Sequence, residues 1–257
     1  MGRFFSLVYG VVCYALFAGA FLHTIGFVAN APGLKTIDSG TPGDVWSAIT
    51  VDVVLLGLFA VQHSIMARRW FKEWWTRFVP PQVERSTYVL AASLVVGLLL
   101  WQWRPIPMTV WSVDGSAGRI AFFIVSVTGW TILLVATFLI NHFELFGLKQ
   151  VYDYWRQRHV EPPTFRTPAL YRLVRHPLYF GFIVAFWATP HMTLGHLLFA
   201  AMTTGYILVG IFFEERDLIA QFGSQYRRYR AEVGMLIPRL GGRSAARERV
   251  AQRNQYF

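Results

Sequence analysis

Residues 4–34 read FFSLVYGVVCYALFAGAFLHTIGFVANAPGL, without one aspartate, glutamate, lysine or arginine. About 20 apolar residues are enough to span a bilayer as a helix, so this stretch is a membrane crossing with residues to spare. Similar runs follow at about Val45–Ala67, Ser86–Trp103, Ile120–Phe143, Leu178–Thr189 and Leu194–Phe213. A soluble domain can bury one such helix but not six. Only 15% of the 257 residues are charged and 54% are hydrophobic, against roughly 25% charged in an ordinary soluble domain. The expected fold is all-α: a polytopic transmembrane bundle of five to six helices. The first apolar run is too long for the h-region of a secretory signal, about 7–15 residues, so it is expected to be retained despite the small residues Ala29-Asn30-Ala31. The single cysteine, Cys13, lies inside it and reads as a packing residue.

Lysine and arginine set the orientation of such a chain. The Ala31–Asp44 linker carries only Lys35, and Arg104–Arg119 only its two end arginines. Arg68–Arg85 carries five basic residues, Lys149–Arg175 carries six, and nine arginines follow Phe213. This alternation fits six crossings with both termini cytoplasmic, in the cell (inner) membrane. The net charge of +10 is then a topology signal and an attraction to anionic lipid headgroups, and nucleic acid is not an expected partner. Trp70, Phe71, Trp74 and Trp75, mixed with Arg69, Lys72 and Arg77, read as an interfacial stretch. The fifth and sixth runs, joined by Pro190-His191-Met192-Thr193, form a helical hairpin open toward the cytoplasm. The whole chain, 1–257, reads as one domain: membrane helices over 1–150, a hairpin unit over 151–240, and a basic, disordered tail over 241–257.

Ionisable side chains inside membrane segments are costly and mark function by default. Here they share one depth. His63 precedes the basic exit of the second run; Asn141, His142 and Glu144 end the fourth; Arg175 and His176 open the hairpin, and Glu214-Glu215 close it. Asn141 and Glu144 are three apart and share a helix face. Asp52, His23, His191 and His196 lie toward the other side and read as structural. No histidine pair has metal-ligand spacing with a third partner, so no metal is expected. In Arg175-His176-Pro177-Leu178-Tyr179-Phe180-Gly181 the proline sits where a helix begins, and the free N–H groups beside Arg175 favour an anion such as a carboxylate. Gly181 allows close approach of a ligand or of a facing helix. Glu214-Glu215 offer acceptors to hydroxyls or an ammonium group, and Tyr226 and Tyr229 share a face beyond Phe222-Gly223. Such a mouth suits a zwitterion bearing hydroxyls, an amino-acid–nucleoside conjugate rather than a lipid tail.

The run 175–181, the Glu214-Glu215 pair, and Phe222-Gly223-x-x-Tyr226-x-x-Tyr229 ending in Pro238 resemble the isoprenylcysteine carboxyl methyltransferase and phospholipid methyltransferase superfamily. Gln62-His63-Ser64-Ile65-Met66-Ala67-Arg68 and Asn141-His142-Phe143-Glu144-Leu145-Phe146-Gly147-Leu148 resemble its NnrU-like branch, and within it the bacterial methanethiol S-methyltransferases. The resemblance implies S-adenosylmethionine held at the cytoplasmic end of the hairpin by Arg175, His176, Pro177, Leu178, Tyr179, Gly181, Glu214 or Glu215, Tyr226 and Tyr229. It implies a small thiol, methanethiol, as the substrate. His63, Asn141 and Phe143 are then expected to shape the thiol pocket, and Glu144 or His142 to take the thiol proton, since the thiolate is the nucleophile. Two rivals stand beside this reading: a methyltransferase for a lipid amine or an isoprenylcysteine carboxyl group, and a non-catalytic NnrU-like membrane protein.

Overall fold

The computed structural model describes residues 2–158 and 164–239; the basic tail expected over 241–257 lies outside the described residues. The elements run α1 (Arg3–Val28), α2 (Val45–Ala67), α3 (Arg69–Trp75), α4 (Pro81–Gln102), β1 (Thr109–Ser112), α5 (Ser116–Ile140), α6 (His142–Leu145), α7 (Leu148–Arg156), a 3-10 turn (Ala169–Arg172), α8 (Pro177–Trp187), β2 (His191–Thr193), α9 (Leu194–Phe222) and α10 (Ser224–Glu232). Five of these, α1, α2, α4, α5 and α9, are long and apolar enough to cross a membrane. Their outward faces carry Phe4, Leu22, Val54, Leu94, Phe123 and Phe212, each more than half exposed. A protein in water does not sustain an apolar surface of that extent; lipid is its solvent. This is a polytopic, all-α membrane protein.

The fifth apolar run forms α8, which is too short to cross a bilayer by itself. With 11 residues, α8 rises about 16 Å, roughly half the hydrocarbon thickness. The chain completes the passage as extended backbone through residues 188–193. Extended backbone within lipid needs partners for its polar groups, and the loop after α4 supplies them. β1 pairs antiparallel with β2, Thr109 opposite Thr193 and Ser112 opposite His191. Val113 N–H donates to Pro190 O (2.8 Å), and Leu194 and Gly195 N–H donate to Met108 and Ile106 O. Trp111 Nε1 donates to Thr189 O (3.1 Å). The expected four-residue link is therefore a strand, and the hairpin is a half-helix plus strand against one long helix.

The core lies between α1, α2, α4, α5, α8 and α9, where Phe27, Trp103, Phe199, Phe186 and Trp130 meet edge to face. Its tightest seam is α5 on α8. A Cβ on Gly181 would lie 2.6 Å from Gly129 O and 2.7 Å from Leu133 N, and one on Gly129 would lie 2.7 Å from Ala185 N. Small residues that let two backbones touch are how helices associate without a hydrophobic drive between them. Gly181, expected to admit either a ligand or a facing helix, admits the helix. Gly181→Ala should push α8 off α5 at a cost of about 1–3 kcal/mol, read as a lower melting temperature of the detergent-solubilised protein.

Candidate active site

At the start of α8 the chain is tied to the segment after α10. Arg175 and His176 N–H donate to Gly234 and Met235 O (2.8 and 3.1 Å), and Val174 forms a parallel bridge with Gly234. Pro177 occupies the first helical position, where a missing N–H costs nothing, and Phe180 N–H reaches His176 O. That leaves the amides of Leu178 and Tyr179 without backbone acceptors among the described residues, an end with partial positive charge.

Glu215 organises the mouth. Its Oε1 accepts from Arg175 Nε at 2.6 Å and lies 3.2 Å from His176 Nε2, while its Oε2 meets Arg230 Nε at 3.0 Å. Arg175 also donates to the carbonyls of Arg230 and Val233. Both Arg175 and Glu215 are buried, with 7% of each side chain exposed. The guanidinium expected to receive a ligand carboxylate is thus spent on closing α8, α9 and α10 together. Tyr229 is likewise committed, its hydroxyl donating to Tyr171 O at 2.6 Å. Phe165 packs on Phe222, Tyr226 and Tyr229.

Other groups at the mouth have capacity left. Glu214 is half exposed; its Oε2 is shielded from solvent without a hydrogen bond of good geometry, it stands 3.8 Å from His176 Nδ1, and its carboxylate lies close to the Tyr179 hydroxyl. The Tyr226 hydroxyl is buried without a partner. Burial first, then the neighbouring Glu215 carboxylate, push its phenol well above the usual range, and Tyr229 is pushed up to about 12 by burial. Both are neutral at physiological pH. Tyr179 stands within electrostatic reach of Glu214 on one side and of Tyr206 and Tyr88 on the other. A second cluster surrounds His63, whose Nε2 lies 2.7 Å from the Tyr88 hydroxyl. The His63 ring stacks on Phe59 and meets Tyr206 edge on. Its Nδ1 is buried with no partner. Five elements, α2, α4, α8, α9 and α10, supply these side chains, with unmatched polar atoms on Glu214, Tyr226 and His63.

The segment 141–148 stands apart. Asn141, with φ 155°, ends α5; its Oδ1 accepts from Glu144 N–H and its Nδ2 donates to Glu144 Oε2 (2.7 Å). The His142 ring is buried and stacked on Phe138 at 4.3 Å. Thr137 donates its hydroxyl proton to Leu134 O, so it must accept from His142 Nδ1, leaving Nε2 to accept from Tyr14. Burial lowers the His142 pKa, which agrees with a neutral ring. With both nitrogens taken, His142 has no lone pair for a thiol proton. Glu144 is exposed and held as a cap, and Phe143 is 47% exposed. The hydrogen bonds of this segment run to α1, α4, α5 and α7 rather than to the hairpin, so the proton-accepting role expected of His142 and Glu144 finds no support in the packing. The segment reaches toward the His63 cluster through Arg85, which donates to Leu145 O and lies over the Tyr88 ring. Sequence reading missed Tyr88, Tyr206 and Arg85; among the described residues there is no metal-binding cluster of His, Cys, Asp or Glu.

Comparison with known proteins decides what this architecture is kin to. A methanethiol S-methyltransferase of Mycobacterium tuberculosis is 54% identical over 238 residues, covering 93% of this chain and 98% of that protein. The chain belongs to the methanethiol S-methyltransferase family. Within that family, the Pseudomonas deceptionensis methanethiol S-methyltransferase is 52% identical over 236 residues, covering 91% and 90%. Bovine Nurim is a more distant relative, 30% identical over 180 residues, or 65% and 66% of the two chains. Residues 104–233 match a family described as "Protein of unknown function (DUF1295)", which spans β1 to α10 and so includes the whole mouth. No solved structure matches. In this methanethiol S-methyltransferase family member, Arg175→Met should leave Glu215 buried without its main partner, at a cost of about 3–5 kcal/mol, visible as a much lower melting temperature. Tyr226→Phe, which removes an unmatched hydroxyl, should leave that temperature within a degree or two.

Proposed function

We propose that this protein transfers the methyl group of S-adenosylmethionine to methanethiol, giving dimethyl sulfide, at the cytoplasmic side of the bacterial inner membrane. The observation that carries the reading is the pair of shielded, unmatched polar atoms at the mouth, Glu214 Oε2 and the Tyr226 hydroxyl, with a third, Nδ1 of His63, in the neighbouring cluster. Buried polar groups are nearly always partnered, so such a set calls for a polar ligand. Relatives named methanethiol S-methyltransferases, aligned over nearly the full length, supply the substrate. The basic linkers 68–85 and 149–175 and the arginines after Phe213 support, by the positive-inside rule, a cytoplasmic mouth and cytoplasmic termini.

The residues present fit the cofactor. Glu214 would accept from its ammonium or hydroxyl groups, the Leu178 and Tyr179 amides at the helix start would receive its carboxylate, and the unmatched Tyr226 hydroxyl would offer one more hydrogen bond. Tyr179 and His176 present ring faces beside them, and aromatic faces favour cations. When bound, the cofactor supplies a methyl group carried on a sulfonium. The chain supplies alignment and dryness: Arg175 and Glu215 fix the mouth, and Phe59, Tyr88 and Tyr206 wall off the acceptor side. Positioning of this kind accounts for a large part of the barrier in two-substrate reactions.

Headspace gas chromatography over the purified protein tests the reaction; dimethyl sulfide should form only when methanethiol and S-adenosylmethionine are both present. Methylated lipid from membrane extracts, or no product at all, would favour the rivals. By calorimetry, Glu214→Gln should weaken S-adenosylmethionine binding roughly tenfold, about 1.4 kcal/mol, with an unchanged melting temperature. Glu144→Gln should leave turnover within about threefold, under 1 kcal/mol of barrier.

A further inference from the structure

We infer that His63 is a thiolate-binding residue, held by Tyr88 in the tautomer that points Nδ1–H at the sulfur of the methyl acceptor. The inference rests on the proposed reaction and names how its nucleophile is kept ionised.

The tautomer follows from hydrogen-bond accounting. His63 Nε2 and the Tyr88 hydroxyl are 2.7 Å apart, and either could donate. If the phenol donates, the imidazole proton sits on Nδ1, and one buried donor waits for an acceptor. If the imidazole donates, the phenol proton and the Nδ1 lone pair are both left unmatched among the described residues. Each unmatched buried group costs about 1–3 kcal/mol, so the first arrangement wins. Nδ1–H is then a preset donor, and sulfur as a thiolate is a far better acceptor for it than sulfur as a thiol.

The surroundings favour an anion at that spot. Arg85, one turn from Tyr88 on α4, acts electrostatically on His63 and lies 4.9 Å over the Tyr88 ring. Arg68, at the end of α2, and Lys72 stand in the same field. The facing acids are Glu84 on α4, Asp217, which pairs with Arg68 at 3.3 Å, and Glu214 beyond Tyr179; the neutral phenols are Tyr88, Tyr206 and Tyr179. Arg85 has no carboxylate partner among the described residues; its Nε is spent on Leu145 O. Its positive charge is therefore available to the pocket. Phe59 against one face of the imidazole and Tyr206 at its edge leave apolar walls, which suit a one-carbon thiol and exclude water that would solvate the anion elsewhere. The step balances simply: on binding, the S–H bond breaks, its proton goes to bulk water, and the sulfur keeps both electrons. Because a free alkyl thiol titrates no lower than cysteine, near 8.5, binding near neutral pH must release that proton.

Proton release is the test. Methanethiol is titrated by calorimetry at pH 7 into the full-length protein saturated with S-adenosylhomocysteine, in two buffers of different ionisation heat. The wild type should release close to one proton per thiol bound. His63→Asn places an amide N–H near the former Nδ1 and should keep that release. His63→Gln, whose amide falls near Nε2, should lose it, and its rising pH–rate limb should move up by about one unit, the tenfold drop in thiolate that one pKa unit means. Tyr88→Phe frees the tautomer and should shift the limb part of the way. No proton release from an active wild type, or equal release from the Asn and Gln variants, would overturn the inference. The wild-type measurement decides alone if the variants do not fold. Absence of dimethyl sulfide from the wild type would instead sink the assigned reaction.

Discussion

Glu215 is the point on which the polar half of the molecule turns. A carboxylate with 7% of its side chain exposed is tolerable near lipid only when its lone pairs are filled, and two guanidinium groups and an imidazole fill them. Arg175 arrives from the residue pair before α8, Arg230 from α10, and His176 from the cap of α8. One side chain on α9 thus sets the distance between the two arms of the hairpin and folds α10 back over them. Glu214, next in sequence but on another face of the helix, has its remaining acceptor aimed at the interior because Glu215 takes the structural duty. Two adjacent glutamates divide the work: one closes the mouth and the other keeps an open acceptor inside it.

The bilayer explains why the opposite end of the hairpin looks as it does. A six-residue extended segment cannot satisfy itself in hydrocarbon, and β1 exists to match it. Asp52 is fully buried, its Oδ1 accepting from Arg104 N–H at 3.0 Å, and His196 Nε2 meets Phe186 O at 2.8 Å, while Asp52 Oδ2 and His196 Nδ1 have no partner among the described residues. These groups hold loops to helices on the face away from the arginines, the structural roles their positions imply.

Hydropathy made most of the fold legible, because lipid-facing helices announce themselves by composition. α2 runs over the residues its apolar run predicts. α4 begins at Pro81 rather than Ser86, since Glu84 and Arg85 make its first turn look like linker, and α9 continues to Phe222 as a partly polar helix past the glutamates. The β1–β2 pair was not legible: strands of three and four residues carry no period. At the site, clustering by depth was legible and partnership was not. Arg175 and Glu215 are 40 residues apart, and a pattern of charges cannot say that a guanidinium faces its own chain rather than a ligand. Tyr88 gave no signal at all, being one aromatic in an apolar run, and Arg85 was read only as a topology charge. Conversely, Asn141-His142-Phe143-Glu144 looked chemical because the residue types are, yet Thr137 and Tyr14 occupy the ring and Asn141 caps the turn.

The short α8 acts as a ruler. Its far end is fixed in register by β2, and its near end must bring His176 to Glu215 and Gly181 to Gly129 at the same time. A helix advances about 100° per residue, so one residue more or fewer between those anchors would turn the histidine and the glycine onto different sides. Length along this stretch is therefore far less free to vary than composition: lineages can exchange its apolar side chains, but insertions and deletions have to fall outside it.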